Sequence, residues 1–277
     1  MKILITNDDS HRSPLLQLAV SYFSQFGEVS IVVPLHEQSW TGKCVTRFDP
    51  VHAHELEVFG RKALAVSGRP ADCVNLAVFN LLDEKPDLVV SGINAGFNIG
   101  LGFILSSGTV GACLEANLAG IPAIALSQAF DAATRDEYIV DYLISDARMA
   151  VFERQIVQIL DRSLGILFSE RLKSRVLAHP ITWNINFPAE LTDPQIVRYA
   201  PLGKARYGKC FHEESLPGGS SVRTFHHRAI EEIRDHNPHV DSTLLRAGVG
   251  TVSPIDLWSL SGDPQDPLIA EVLAALA

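Results

Sequence analysis

The chain has 277 residues, 47% of them apolar, with 23 Lys and Arg against 32 Asp and Glu, a net charge of −9. A chain of this length buries roughly 75% of its unfolded surface and builds a core without staples, which excludes the small disulfide or zinc scaffolds. The acidic balance also argues against a nucleic-acid polymer as partner, since that backbone is gripped by a Lys/Arg excess on one face. A single phosphate needs only local charge.

Cys44, Cys73, Cys113 and Cys210 form no CxxC pair and have no His at zinc-finger spacing. Ile3-Leu4-Ile5 is too short for a signal segment, and no stretch reaches about 18 uninterrupted apolar residues. A reduced, cytoplasmic protein that does not cross a membrane is the expectation.

In chain order, residues 2–6 read as a buried first strand and 14–26, opened by Pro14, as the following helix. Val29–Val33 is the second strand, and Gly42–Val66 carries extra strands or a hairpin. Pro70–Leu82 reads as a helix, Asp87–Ser91 as a third core strand, Thr109–Ala119 as a helix and Ala123–Ser127 as a fourth strand. The longest helical pattern covers 135–163, with Ile139, Tyr142, Leu143, Ala147, Ala150, Val151 and Ile156 near one stripe. Thr182–Phe187 is strand-like and Tyr199–Pro238 is rich in Gly, Pro and His. Leu244–Val252 and a closing helix at Pro267–Leu276 end the chain. Strands alternating with helices imply an α/β fold with a mostly parallel sheet.

Polar residues collect after three of these strands, where open α/β sheets bind ligands. Thr6-Asn7-Asp8-Asp9-Ser10 follows the first. Adjacent carboxylates at a buried strand end repel each other, and a divalent cation keeps both ionised; oxygen donors suit Mg2+, Mn2+ or Ca2+ rather than zinc. The alternative is a loop in which one Asp caps a turn or helix. Ser39, after the second strand, offers a hydroxyl ligand or merely a turn. After the third, Ser91 to Gly102 and then Ser106-Ser107-Gly108-Thr109-Val110 supply carboxamides, close backbone approach and helix N-terminal donors, the parts of a phosphate cradle. Gly100-x-Gly102 is not completed as a dinucleotide fingerprint and is read as opening no helix. Together the three loops fit metal-assisted phosphoryl transfer to water, with Asp9 placed to orient or deprotonate it.

The segments Asn7-Asp8-Asp9, Ser39, Val66-Ser67-Gly68-Arg69-Pro70-Ala71-Asp72-Cys73-Val74, Ser91-Gly92-Ile93-Asn94-Ala95-Gly96-x-Asn98-x-Gly100 and Ser107-Gly108-Thr109-Val110-Gly111-Ala112 occur here in this order. Trp183-Asn184-Ile185-Asn186-Phe187-Pro188 and Ala247-Gly248-x-Gly250-Thr251-Val252-Ser253-Pro254 follow them. In these segments the chain resembles, over essentially its whole length, the survival protein E (SurE) family of 5′/3′-nucleotidases.

The resemblance implies one Rossmann-like domain over 1–277, a mostly parallel sheet flanked by helices. A C-terminal hairpin and helix extension, about 195–277, would exchange between subunits in a homodimer, with a homotetramer of paired dimers as the alternative. It implies a phosphomonoesterase acting on nucleoside monophosphates and using one divalent cation per subunit, Mg2+, Mn2+ or Ca2+. Carried over residue by residue, Asp8, Asp9, Ser39 and Asn94 would bind the metal. Asp8, Asp9 and Asn94 would be catalytic, and Asn98, Ser107, Gly108 and Thr109 would bind the phosphate. Ser10 stands where the family usually has Gly, Leu15 where Gly commonly follows Pro, and the apolar Leu101–Ser106 replaces an acidic, Tyr-containing run. These departures leave two alternatives open: a phosphatase of sugar phosphates or short polyphosphates, and a catalytically silent nucleotide- or metal-binding protein.

Overall fold

The computed structural model describes residues 1–141, 143–192, 197–214, 223–227 and 230–260. The apolar run after Met1 forms β1 (Lys2–Thr6), followed by α1 (Pro14–Phe23) with Pro14 in its first turn, and by β2 (Glu28–Pro34). Gly42–Val66 is irregular in its first half. Its second half is a hairpin of β3 (Ala53–Val58) and β4 (Arg61–Val66). α2 (Pro70–Leu76) continues as a π-helical turn over Ala77–Leu81 and leads to β5 (Leu88–Ala95), α3 (Gly100–Ser106), α4 (Gly108–Leu118) and β6 (Ala123–Gln128). Next come α5 (Ala132–Asp141), α6 (Asp146–Leu167), α7 (Lys173–Ala178) and β7 (Thr182–Phe187). The last third holds the short strands β8 (Val197–Tyr199), β9 (Arg206–Tyr207), β10 (Phe211–Glu214), β11 (Thr224–His227) and β12 (Glu232–Ile233), then α8 (Asp241–Arg246) and β13 (Gly250–Ile255).

Nine strands form one sheet in the order β3-β4-β2-β1-β5-β6-β7-β13-β8. From β4 to β7 every neighbour is parallel. Those six strands run outward from β1, through β2 and β4 on one side and β5, β6 and β7 on the other. This is the doubly wound order, and the direction of winding reverses between β1 and β5. The reversal opens a crevice at the carboxyl ends of β2, β1 and β5. All three polar loops singled out above sit there.

Strand alternation distributes the core over both faces of the sheet. Ile3, Ile5, Leu88, Val90, Ile124 and Leu126 face one layer, shared with α1 and α6. Leu4, Val89, Ala123 and Ala125 face the other, shared with α2 and α4. Two of the last-third strands, β13 and β8, complete the sheet beyond β7, while β10 with β11 and β12 with β9 form separate two-stranded pairs. Among the described residues no single helix is long and apolar enough to cross a membrane. The four cysteines are unpaired.

Three local expectations need correction. The pattern over 135–163 is two helices, because Ser145 starts a new one by accepting a hydrogen bond from Arg148 N–H. The stripe drawn across that break is therefore out of phase: Leu143, Ala147 and Ala150 are exposed, whereas Phe152, Ile156, Ile159, Leu160 and Leu164 are the buried face. Of the remaining positions in that stripe, Tyr142 lies outside the described residues. Gly100, read as opening no helix, is the first residue of α3. Two glycines are poor helix formers, but tertiary partners stabilise the start: Gly100 N–H donates to Asp241, Leu101 N–H to Gly203 O and Gly102 N–H to Ala205 O. The third core strand runs on from Ser91 to Ala95, with a bulge between Ser91 and Asn94 that re-aims Asn94. The closing helix expected at Pro267–Leu276 lies outside the described residues.

Candidate functional site

Asp8 and Asp9 leave the end of β1 almost fully buried, each with 3% of its surface exposed. Ser10 turns the chain behind them with φ of 69°, the left-handed conformation that a glycine adopts freely, and its carbonyl accepts from Asn7 Nδ2 at 2.8 Å. Thr109 Oγ1 donates to Asp8 Oδ1 at 2.7 Å and Ala95 N–H to Asp9 Oδ2 at 2.8 Å. The two carboxylates are thereby tied to α4 and to β5. Among the described residues neither has a Lys, Arg or His partner.

Burial without a countercharge raises both acids, Asp8 to about 6 despite the Thr109 hydrogen bond, and Asp9 well above the ordinary carboxylate range, with the neighbouring Asp8 charge adding to desolvation. A bound cation would remove that penalty. The donors around it fit one class of ion: no cluster of three His, Cys, Asp or Glu exists among the described residues, so two carboxylates must be completed by neutral oxygens. Ser39 and Asn94 line the same crevice, as do Asn98, Ser106 and Ser107. Such an all-oxygen set suits a hard divalent ion.

The loop that carries Ser39 is fastened at several points. Gln38 N–H donates to Asp8 O at 2.8 Å, Gly42 N–H to Ser106 O at 2.9 Å, and Arg69 holds the Gln38 side chain. Lys43 pairs at 2.5 Å with Glu115, a buried residue of α4 that also accepts from Asn75. Asp72 accepts from Arg69 N–H and from Thr46, so in the Ser67–Val74 segment it serves as a helix-start carboxylate.

The start of α4 closes the crevice. Ser107 caps it by accepting from Val110 N–H at 3.1 Å, which leaves the hydroxyl hydrogen for a ligand. Gly108 allows the approach, since a Cβ there would lie 2.9 Å from Asp8 Cβ and 3.1 Å from Gln38 O. Thr109 is fully buried, and both its hydroxyl and its backbone N–H face Asp8. Its direct partner is thus a candidate metal ligand.

Asn98 is held more tightly than any other residue of the site. Its N–H donates to Asn186 Oδ1 at 2.8 Å, and its carbonyl accepts from Asn184 Nδ2 at 2.8 Å and Asn186 Nδ2 at 3.1 Å. Its own Nδ2 reaches Ser127 Oγ at 2.8 Å and Thr109 Oγ1 at 3.3 Å. The sequence marked Asn184 and Asn186 as part of a strand motif but gave them no role. The available signal was polar residues at every second position, Thr182, Asn184 and Asn186, inside a largely buried strand, since buried amides require partners. Asp241 was missed altogether. It is buried and accepts from Gly100, Gly203 and Ser242 N–H, fixing the start of α3.

Asp8, Ser39, Asn94, Asn98 and Ser107 open onto one cavity of about 320 Å3, with Asp9, Gly108 and Thr109 outside its lining. Larger clefts of about 420 and 530 Å3 elsewhere lack this set of oxygen and nitrogen donors. His11 does not line the cavity.

The family model described as Survival protein SurE matches residues 3–209. The chain belongs to the SurE family. Among its SurE relatives, the 5′-nucleotidase SurE of Methanopyrus kandleri is 41% identical over 214 residues, covering 75% of this chain and 80% of that protein. Those of Methanosarcina acetivorans and Pyrobaculum arsenaticum are each 33% identical, covering 93% and 100% of this chain and 92% and 97% of theirs. The fold is that of the SurE protein crystal structure from Aquifex aeolicus, with a TM-score of 0.70 at 24% identity, covering 100% of this chain and 99% of the other. Against the usual SurE pattern, Ser10 is accommodated in a left-handed turn, and the substituted Leu101–Ser106 run is helix α3, whose Phe103 and Ser106 line the cavity.

Proposed function

We propose that this chain is a divalent-metal-dependent phosphomonoesterase that hydrolyses nucleoside 5′- and 3′-monophosphates to nucleoside and phosphate. The observation that carries the reading is the pair of buried carboxylates, Asp8 and Asp9, with no countercharge among the described residues, beside a capped helix start. Its relatives' names point to the same activity.

Asp8, Asp9, Ser39 and Asn94 are the residues that would hold one cation, Mg2+, Mn2+ or Ca2+; when bound it supplies charge neutralisation and polarises the ester P–O bond. The Ser107 hydroxyl and Gly108 N–H, at the positive end of α4, receive the phosphate oxygens, and Asn98 flanks them. Thr109 fixes Asp8 from below. Asp9 has one oxygen occupied by Ala95 N–H; its other oxygen would take the proton of the attacking water as the new O–P bond forms, while the ester bond breaks and the leaving nucleoside oxygen takes up a proton from solvent. Residues 195–277 are proposed as the oligomer-forming part of a homodimer, in turn pairing into a tetramer, in a cytoplasmic protein.

Phosphate release from nucleoside monophosphates with Mn2+ or Mg2+, with and without chelator, tests the activity. Metal-dependent turnover is expected. Folded protein that releases no phosphate under any of these conditions refutes the enzyme reading and leaves a binding protein.

A further inference from the structure

The cavity at Asp8 has a lining of two chemical kinds. Beside its hydrogen-bonding and charged side chains the lining holds three rings, Trp40, Phe97 and Phe103. Phe103 is 9% exposed and meets Trp40 and Phe97 edge-on, at 6.2 Å and 5.5 Å between centroids. Trp40 and Phe97 keep 38% and 36% of their surface open.

Neither ring is free to collapse onto the core. Trp40 sits at φ of 63° in the loop fastened by Gly42 and Gln38, with Tyr207 and His227 against it at 4.9 Å each. Arg246 backs Phe97 at 5.8 Å, and is itself tied to Glu232 and to Ser242 O. Open aromatic surface held next to an anion site is preorganised for a flat, π-rich group joined to a phosphate. A polyphosphate would need a row of cations, and among the described residues Arg135 is the single Lys or Arg in the lining. A bare sugar phosphate offers no flat π-face for these rings to stack on.

We propose that Trp40 and Phe97 form the subsite for the nucleobase of the leaving group, and that it selects by stacking rather than by reading base edges. The inference rests on the phosphomonoesterase reading and sharpens it. The enzyme prefers nucleoside monophosphates to phosphates of simple sugars, and it is tolerant among bases because every base has a π-face.

The test compares adenosine 5′-monophosphate, uridine 5′-monophosphate and ribose 5-phosphate with Mn2+, in wild type and in the Trp40→Leu and Phe97→Leu variants. Wild type is expected to favour both nucleotides over ribose 5-phosphate, with the two nucleotides within a few-fold of each other. In either variant the nucleotide-to-ribose-phosphate ratio of kcat/KM falls about tenfold, the size of one lost stacking contact, mainly through nucleotide KM. Trp40→Phe and Phe97→Tyr restore most of the ratio, which a merely structural role would not produce. Equal losses on all three substrates, or an unchanged ratio in folded variants, overturn the subsite. Failure of wild type to hydrolyse any of the three refutes the enzyme reading instead. Equilibrium binding of adenosine 5′-monophosphate against ribose 5-phosphate then decides the subsite, and equal affinities for the two overturn it.

Discussion

Replacing Asn186 by Leu tests whether β7 aims the site. Asn186 makes two hydrogen bonds to Asn98, accepting its N–H at 2.8 Å and donating to its carbonyl at 3.1 Å, with its own side chain fully buried. Each is worth about 1 kcal/mol net, and the Asn98 N–H left without a partner costs about 1–3 kcal/mol more, giving a loss of about 3–5 kcal/mol. The neighbouring Asn184 provides the contrast. It gives the Asn98 carbonyl one hydrogen bond, which Asn186 duplicates, and its Oδ1 is buried without a partner, so Asn184→Leu removes an unsatisfied group and costs about 1 kcal/mol or less. Urea denaturation of both variants, each unfolding as a single transition, measures the difference. Activity should follow, because the Asn98 carboxamide is no longer aimed from Ser127 and Thr109; a drop in kcat/KM of about 10- to 100-fold is expected for Asn186→Leu, each factor of ten corresponding to about 1.4 kcal/mol. Equal destabilisation by the two variants, or a larger effect at Asn184, refutes the reasoning.

Gly108→Ala adds a Cβ 2.9 Å from Asp8 Cβ and 3.1 Å from a backbone oxygen, so it should destabilise by about 1–3 kcal/mol and reduce turnover by at least about tenfold; wild-type thermal stability and kcat would contradict the close approach of α4. Asp241→Asn places an amide donor where a backbone N–H also donates. About 1–3 kcal/mol should be lost in denaturation, with a raised nucleotide KM because α3 carries part of the cavity wall, whereas an unchanged KM would separate α3 from substrate binding. In metal-free protein both Asp8 and Asp9 titrate above their unfolded value of about 4, Asp8 at about 6. Protonation therefore favours the folded state: this contribution is fully present below about pH 4 and is lost as pH rises through the folded values. With chelator present, Tm should fall between pH 5 and pH 7.5. Mg2+ or Mn2+ should raise it at pH 7.5 far more than at pH 5, and an equal response at the two would remove the Asp pair as the metal site.

The parts of the molecule that were legible in the sequence are those whose causes are local. Strand β1 and the Asp8-Asp9 loop, the Pro14 and Pro70 helix starts, and the Ser107 cap announce themselves within a few residues. Placement of Ser39, Asn94 and the Asp pair at one crevice follows from parallel strands ending on the same edge. The helix at Gly100 was missed because its stabilising partners, Gly203, Ala205 and Asp241, lie about 100 to 140 residues away. The break before Ser145 was locally signalled by an N-cap residue, but a continuous apolar count overrode it. Asn184, Asn186 and Asp241 act through backbone groups of the Asn98 to Gly100 segment; alternation in β7 marks the two Asn as needing partners, but no local spacing says which, and Asp241 carries no such mark.

The division of labour between these two stretches of chain has its own implication. Residues 8 to 109 contain every side chain proposed to meet metal or phosphate, and residues 184 to 241 contain those that hold the backbone from Asn98 to Gly100. A polypeptide stopped after β6 would carry a full inventory of ligands yet lack the supports of that segment. Catalytic strength in such a scaffold is adjustable from a distance, because a change at Asp241 alters the posture of the crevice while leaving its chemistry intact.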